Sequence, residues 1–160
     1  MDYEILKYSK DYLHEICDIW NEAIDEGLTL LWKEPFEEGK IEYIISTQTE
    51  CFYAVSGGKC IGFYILHPIS SGRGGHIANA LYIVKRQFRL QGIGTALVNH
   101  SMQNAKEHNF LAMQYSSVVA SNVSIGIYNK LGFEKSGLIP DGFCKSENQF
   151  EDLLILYKRL

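Results

Sequence analysis

Apolar positions in the first quarter of the chain predict one strand followed by two helices. Residues 3–6 are typical of a short strand. Across residues 13–24 the apolar side chains recur three and four positions apart, which predicts an amphipathic helix that ends at Gly27. Residues 28–39 have no such period and are expected to be irregular, whereas the isoleucines within residues 41–45 predict a short second helix.

Three β-rich runs follow these helices. Residues 51–55 and 60–66 flank the sequence Ser-Gly-Gly-Lys at 56–59, and two such runs around a Gly-Gly pair predict a β-hairpin. The glycine-rich residues 70–75 predict a flexible loop, and residues 76–84 predict the central strand of a sheet.

The rest of the pattern predicts a helix, a strand, a second helix and two final strands, at residues 95–108, 111–115, 122–131, 133–137 and 152–157. Strands interleaved with helices in this order favour an α/β fold, with one mixed sheet of about seven strands and helices on both faces. Since the chain has no linker, internal repeat or low-complexity stretch, residues 1–160 are expected to form a single domain.

A glycine-rich segment comes directly after the central strand. Residues 89–94 are Arg-Leu-Gln-Gly-Ile-Gly, and a helical pattern begins at Thr95. Gly92 and Gly94 lack a Cβ, so the backbone there can turn tightly and approach a ligand closely. The first amides of a helix are free and its dipole favours anions, while Arg89 adds a permanent cation. The segment therefore predicts a site for a phosphate or pyrophosphate.

Two common phosphate-binding motifs do not fit this segment. A Walker loop requires Gly-Lys-Ser/Thr, but Thr95 and Ala96 follow Gly94. The dinucleotide fingerprint requires Gly or Ala where Leu97 stands. The remaining pattern, Arg-x-x-Gly-x-Gly, resembles the acyl-CoA pyrophosphate loop of the GNAT N-acetyltransferases. Residues 128–133, Tyr-Asn-Lys-Leu-Gly-Phe, resemble the second signature of that family, Tyr-x-x-x-Gly-Phe.

The resemblance implies a GNAT-type acyl-CoA N-acyltransferase fold, in which the central strand and the next strand splay apart and leave backbone groups for the pantetheine arm of acetyl-CoA. It also implies roles for individual residues. The pantetheine and the thioester carbonyl would lie along Tyr82, Ile83 and Val84, with the Val84 amide as oxyanion donor. Pyrophosphate would be bound by Arg89, Gln91, Gly92, Ile93, Gly94 and Thr95, and Tyr128 would be the general acid beside the sulfur.

A cofactor-binding Asn usually lies seven residues before this Tyr in the family. Here Ser121 is seven residues before it and Asn122 is six. We assign the contact with the pantetheine arm to Asn122, because an amide both donates and accepts hydrogen bonds. The same residue also suits a helix N-cap.

The acceptor side of the predicted site is less defined. The central strand has no carboxylate, so no general base is assigned, although His76 has a suitable pKa range. Residues 75–79, Gly-His-Ile-Ala-Asn, resemble a GNAT subgroup that includes a fungal proline-analogue N-acetyltransferase. The resemblance implies substrate binding by Asn79. His76, three residues before it, is expected to be a second substrate-binding residue, although a structural hydrogen-bonding role is the alternative. Ser116 departs from that subgroup, which often has Asn at this position.

The expected activity is transfer of an acetyl group from acetyl-CoA to a primary or secondary amine of a small molecule, an amino acid or an analogue. Two alternatives remain open. One is acetylation of a protein N-terminus or lysine, for which Glu34, Glu37 and Glu38 could line a groove. The other is an acyl-CoA-binding regulatory module without turnover.

Composition and charge restrict the partners. A net charge of −4 without a basic stripe argues against nucleic acid, and no apolar run is long enough to span a membrane. The N-terminus has no signal-peptide pattern, and the four scattered cysteines favour a cytoplasmic protein without a disulfide framework or metal site. GNAT relatives are often dimers, and the sequence leaves a homodimer open.

Overall fold

A single mixed sheet forms the centre of the computed structural model, which describes residues 2–160. Its seven strands lie in the order β1-β2-β3-β4-β5-β7-β6. The strands are β1 Glu4–Lys7, β2 Glu50–Ser56, β3 Lys59–Pro68, β4 Ile77–Val84, β5 Ala112–Val119, β6 Glu134–Ser146 and β7 Gln149–Arg159. The helices are α1 Leu13–Glu26, α2 Glu38–Ser46, α3 Ile93–Glu107 and α4 Ile125–Lys130. The predicted order of strands and helices is confirmed.

Helices cover both faces of the sheet, as predicted. On one face α1 and α2 pack against β2, β3 and β4, and the fully buried Trp20, Ile41 and Phe63 lie at the centre of this layer. On the other face α3 and α4 pack against β3, β4 and β5, around Tyr64 and Leu97. The sheet is therefore the middle of three layers, and β4 is buried between two apolar cores.

The pairing of β4 with β5 is short and parallel. Only Ile77 with Ala112 and Ala78 with Met113 are in register. All the other neighbouring strands run antiparallel, and β3 pairs with β4 along seven residues, from Gly62 to Pro68. The two central strands thus separate after Ala78, which is the splay that the family resemblance implies.

The last two strands are much longer than predicted. The sequence predicts strands at residues 133–137 and 152–157, whereas the hairpin of β6 and β7 continues to Ser146 and from Gln149. Pro140 and Gly142 interrupt the sequence pattern, but the structure accommodates this stretch with a register shift between Ile139 and Phe143. Strand β6 is at the edge of the sheet, and an edge strand tolerates a proline because one side of its backbone needs no hydrogen-bond partner.

Smaller differences occur at helix ends. Helix α3 begins at Ile93, two residues before the predicted start, and α4 begins at Ile125, three residues after it. Gly27 ends α1 as predicted, in the left-handed conformation with φ of 62°. None of the helices within residues 2–160 combines the length and apolar character required to cross a bilayer.

Candidate active site

Strands β4 and β5 separate after Ala78 and leave a gap between them. The hydrogen bonds at both ends of β4 show which of its backbone groups face this gap. The Ile77 carbonyl accepts a bond from the Ile69 N–H, and the Lys85 N–H donates to the Ile61 carbonyl, both over 2.9 Å. Because successive residues of a strand direct their polar groups to opposite neighbours, the odd-numbered residues of β4 bond to β3. The even-numbered residues beyond the last β4–β5 pair face the gap, namely Ala80, Tyr82 and Val84.

The glycine-rich segment forms the start of α3. Gly92 is the N-cap and has a φ of 84°, a conformation that side chains disfavour. The first bond of the helix joins the Ala96 N–H to the Gly92 carbonyl over 3.0 Å. The three preceding amides, those of Ile93, Gly94 and Thr95, therefore have no partner within the helix and are suited to an anion.

The other residues predicted to bind the pyrophosphate differ in how exposed their side chains are. Ile93 is 1% exposed, so only its backbone can contribute to the loop. Gln91 is exposed, and its amide group donates to the Gln87 carbonyl over 3.3 Å. A Cβ on Gly94 would meet Ile127 Cδ1 at 3.5 Å, which places α4 directly beside this loop.

Arg89 is bound by the protein itself. Its Nε donates to the Val84 carbonyl over 2.9 Å, and its Nη1 donates to Glu26 Oε2 over 2.8 Å. Nearby, Glu22 Oε2 accepts from the Arg86 backbone N–H over 2.9 Å. Two carboxylates of α1 therefore hold the segment between β4 and α3, a connection that no sequence period indicates.

Tyr128 lies on α4 in an aromatic cluster next to the gap. Its ring centroid is 4.7 Å from that of Tyr115 and 6.4 Å from that of Tyr82. Burial raises the pKa of Tyr128 to about 12, although a hydrogen bond with Ser124 opposes the change. The phenol is consequently a neutral O–H donor at physiological pH.

A buried hydroxyl network below the gap was not predicted. The Tyr82 hydroxyl lies 2.6 Å from Ser101 Oγ and 2.7 Å from the Tyr115 hydroxyl. Ser101 Oγ donates to the Val98 carbonyl over 2.8 Å, so it accepts from Tyr82, and Tyr82 in turn accepts from Tyr115. The one signal in the sequence was a serine four residues after Leu97, at an inward-facing helix position.

Asn122 has a local partner. Its Oδ1 accepts from the Ser124 backbone N–H over 2.8 Å, which stabilises the turn that leads into α4. The N-cap of α4 is Ser124, so the N-cap role suggested for Asn122 by the sequence is wrong, and its bond belongs to the turn before the helix. The predicted contact with the pantetheine arm would involve the amide nitrogen of the same side chain.

The two predicted acceptor residues lie towards the other end of β4. Asn79 is the first residue after the last β4–β5 pair, and with about 3.3 Å per residue it lies about 17 Å from Val84. His76 precedes β4, is exposed, and its Nδ1 lies 3.1 Å from the Arg73 carbonyl oxygen. The structure thus groups Tyr82, Val84 and the glycine loop with Tyr128 but leaves His76 apart from them.

The irregular segment between α1 and α2 is anchored on α1. Asn21 bonds to both backbone groups of Phe36, donating to its carbonyl and accepting from its N–H, each over 2.8 Å. The ring centroid of Trp32 lies 5.8 Å from that of Trp20 and 5.4 Å from that of Phe36. Trp32 remains 42% exposed, so an apolar surface borders the same face of the sheet as Asn79.

Comparison with known proteins places this geometry in a family. The Acetyltransferase (GNAT) family matches residues 13–133. N-acetyltransferase aca1 of Schizosaccharomyces pombe is 31% identical over 97 residues, which are 59% of this chain and 46% of the yeast protein. An N-alpha-acetyltransferase of Sulfurisphaera tokodaii is 27% identical over 122 residues, which are 69% of this chain and 71% of the archaeal protein.

Solved structures show the same fold. One is a GNAT superfamily phosphinothricin acetyltransferase from Sinorhizobium meliloti in complex with AcCoA. It superimposes on this protein with a TM-score of 0.93 at 20% sequence identity, and the match covers 100% of this chain and 89% of the S. meliloti chain. The chain spans about half the length of the S. pombe relative. Since the family match includes the central strand, the glycine loop and Tyr128, the chain belongs to the acetyltransferase (GNAT) family, as its two motifs predict.

Proposed function

We propose that the protein transfers an acetyl group from acetyl-CoA to the amine of a small cytoplasmic molecule, an amino acid or an analogue. The observation that carries this proposal is the alignment of three features along one gap. They are the polar backbone edge of β4 from Ala80 to Val84, the three free amides at the start of α3, and the neutral hydroxyl of Tyr128.

Acetyl-CoA fits these groups from end to end. Its pyrophosphate would bind the amides of Ile93, Gly94 and Thr95, with Gly92 allowing close approach and the exposed side of Arg89 and Gln91 adjacent. The pantetheine arm would pair with the even-numbered residues of β4 as an added strand does, and Asn122 would contact it from the turn before α4. This arrangement directs the thioester towards the layer between β4 and Tyr128.

The transfer itself requires no covalent enzyme intermediate. The amine nitrogen attacks the thioester carbon, the oxygen gains negative charge and accepts a hydrogen bond from a free N–H of β4, and the C–S bond then breaks. Because Val84 lies beside the pyrophosphate loop and the pantetheine arm separates the pyrophosphate from the thioester, the Tyr82 N–H is a better placed donor than the predicted Val84 N–H. The proton that the amine loses is matched by the proton that the sulfur gains, so the products are an amide and CoA. Because a pKa of about 12 exceeds that of a free thiol, about 8.5, Tyr128 keeps its proton and stabilises the departing thiolate as a hydrogen-bond donor. The amine releases its proton to solvent, and the thiolate takes up one proton from solvent.

The acceptor would enter on the face that carries Asn79. This face offers amide and hydroxyl groups, since Gln114 Nε2 donates to Ser116 Oγ over 3.1 Å one strand away. Such neutral polar groups suit the carboxylate and amine of an amino acid. The phosphinothricin acetyltransferase with the same fold acts, by its name, on an amino-acid analogue, which supports this choice.

A second candidate is acetylation of a protein N-terminus. It is favoured by the S. tokodaii relative, which is named N-alpha-acetyltransferase and matches most of this chain. The two candidates differ in the size of the acceptor, a single amino acid in the first and a peptide chain in the second. A homodimer, which the family resemblance leaves open, is part of the proposal and would be detected by light scattering.

The deciding experiment measures the melting temperature with saturating acetyl-CoA, CoA or ATP. A ligand at one hundred times its Kd stabilises the native state by about 2.7 kcal/mol, so acetyl-CoA and CoA are expected to raise the melting temperature and ATP is not. Release of CoA thiol is then followed with proline analogues, other amino acids and short peptides. No shift with either CoA compound would refute the proposal, and turnover with peptides alone would select the second candidate.

A further inference from the structure

Beyond Ala78, strands β4 and β5 are joined by side chains where their backbones no longer pair. The last backbone pair between them is Ala78 with Met113. Four residues further along β4, the Tyr82 hydroxyl lies 2.7 Å from the hydroxyl of Tyr115, which is two residues further along β5. Since Tyr115 is only 4% exposed, the gap between the strands is bridged by a buried hydrogen bond.

The Tyr82 end of this bond belongs to the strand that would hold the thioester. Leu81 and Ile83, on either side of Tyr82, bond to β3, so the Tyr82 N–H faces the gap and is the donor proposed for the oxyanion. The Tyr82 hydroxyl also lies 2.6 Å from Ser101 Oγ on α3. The side chain of Tyr82 therefore links the proposed oxyanion donor to both α3 and β5.

The Tyr115 end of the bond belongs to the aromatic cluster around Tyr128. The ring centroid of Tyr115 lies 4.7 Å from that of Tyr128 and 4.6 Å from that of Phe133, two residues of the second family motif. Rings in such contact restrict one another because a protein interior is close-packed. The Tyr115 ring thus supports Tyr128 while its hydroxyl bonds to β4.

We propose that Tyr115 is a positioning residue for acyl transfer, because it fixes the distance between the β4 N–H that donates to the thioester oxygen and the Tyr128 hydroxyl that donates to the leaving sulfur. The inference rests on the proposed function, since both groups act on the same thioester. They come from opposite sides of the gap, so an error in their separation would weaken the stabilisation of the transition state.

The hydroxyl of Tyr115 adds little that packing alone requires. A phenylalanine at this position would make the same ring contacts without a buried polar atom, and the net contribution of a hydrogen bond to stability is small. Burial raises the pKa of Tyr115 well above its ordinary value, so the hydroxyl keeps the proton that it donates to Tyr82. The bond across the gap therefore persists over the pH range in which the enzyme would act.

The test compares Tyr115→Phe with Tyr64→Phe in the full chain. Tyr64 is a second buried tyrosine on the same face of the sheet, but it lies on β3, which does not border the gap. Its hydroxyl lies 2.9 Å from His100 Nδ1, so this variant also removes a hydrogen bond of the interior. Similar decreases in melting temperature are therefore expected for the two variants.

The two variants should differ in turnover. The assay uses acetyl-CoA and the acceptor that releases CoA thiol fastest among the proline analogues, amino acids and peptides. We expect kcat to fall on the order of tenfold in Tyr115→Phe and to equal the parent value in Tyr64→Phe. The Kd of CoA should be unchanged in both, because the backbone groups that would bind the cofactor remain.

A double-mutant cycle separates positioning from a structural effect. Because Tyr115 acts through the placement of Tyr128, adding Tyr115→Phe to Tyr128→Phe should lower kcat by less than about twofold. Tyr64→Phe should leave kcat unchanged in both backgrounds. A residue that only stabilises the core would lower kcat by the same factor with and without the Tyr128 hydroxyl.

Three results would overturn the inference while the proposed function stands. They are a parent-like kcat in Tyr115→Phe, an equal loss of kcat in Tyr64→Phe, and a full tenfold effect of Tyr115→Phe in the Tyr128→Phe background. If the parent protein binds neither CoA nor acetyl-CoA, or releases no thiol with any acceptor, the proposed function fails first, and this outcome is visible before any variant is compared.

Discussion

At the scale of single residues, the proposed chemistry depends on one buried phenol, that of Tyr128, whose environment the sequence describes only in part. The motif predicts Tyr128, but its neighbours Tyr115 and Tyr82 come from two strands that the pattern does not place side by side. Burial in this cluster raises the pKa of Tyr128 to about 12. The hydroxyl therefore keeps its proton throughout the range in which amines lose theirs.

Tyr128→Phe keeps the ring and its packing but removes the hydroxyl. We expect kcat to fall by about two orders of magnitude with an unchanged Kd for CoA, because the thiolate loses its donor and the cofactor keeps its backbone contacts. Tyr43→Phe is the matched control, since Tyr43 is 63% exposed on α2. Equal activity of the two variants would exclude Tyr128 from the reaction.

The pH dependence of the parent enzyme follows from the same pKa. Between about pH 6 and pH 10, kcat/KM should rise as the acceptor amine loses its proton and then reach a plateau. Because the pKa of Tyr128 is raised to about 12, its ionisation cannot cause a decrease within that range. A decreasing limb near pH 9 that disappears in Tyr128→Phe would contradict the raised pKa.

At the scale of elements, the start of α3 combines a backbone conformation that favours glycine with the proposed phosphate site. Gly92 has a φ of 84°, and a Cβ there would meet no atom within 4 Å. Substitution would therefore strain the backbone without a clash inside the free protein, while the added methyl group would face the bound phosphate. Substitution of Gly92 should therefore change the free energy of unfolding and the affinity for CoA independently.

Gly92→Ala is best compared with Gly57→Ala. Gly57 lies in the turn between β2 and β3, with a φ of 56°, and a Cβ added there would also meet no atom within 4 Å. Each substitution is expected to cost about 1 kcal/mol of stability, because a non-glycine residue in this conformation is strained. Only Gly92→Ala should also weaken CoA binding in a calorimetric titration. Equal CoA affinities in the two variants would show that the phosphate does not bind this loop.

The helices and strands differ in how well the sequence predicts them. Periodicity predicts α1 well because one face of that helix is buried. The Gly-Gly turn between two β-rich runs predicts the hairpin of β2 and β3, although most of β3 is buried on both faces. Periodicity fails at Pro140 and Gly142, where register shifts replace the alternation. It also has no means of finding the contact between Glu26 and Arg89, since residues 63 positions apart share no local pattern. The family and its fold were thus predictable from the two motifs, and the contact between Glu26 and Arg89 beside the candidate site was not.

At the scale of the whole molecule, buried tyrosines link stability to alkaline pH. Burial raises the pKa values of Tyr64, Tyr82, Tyr115 and Tyr128 above the ordinary value near 10. The folded state therefore retains protons that the unfolded state loses. This contribution is complete below pH 10 and decreases as the pH rises towards the folded-state pKa values.

Urea unfolding at pH 8 and pH 11 should detect this loss. For Tyr128 alone, a pKa of about 12 in place of 10 removes on the order of 1 kcal/mol of stability by pH 11, because the unfolded state loses the proton first. A parallel titration of tyrosinate absorbance should show that part of the 10 tyrosines ionises only as the protein unfolds. Reversible ionisation of all of them near pH 10, in a protein that stays folded, would contradict the prediction.

The short pairing of β4 with β5 gives the protein a sheet whose middle is weakest in the absence of its substrate. Two residue pairs join these strands, whereas seven residues of β3 bond to the other side of β4. The amides of Tyr82 and Val84 should consequently exchange rapidly with deuterated solvent in the free protein, while those of Leu81 and Ile83 exchange slowly. Bound acyl-CoA would remove this difference by pairing with the free backbone groups of β4, so slow exchange would extend along both sides of this strand only while the cofactor is bound.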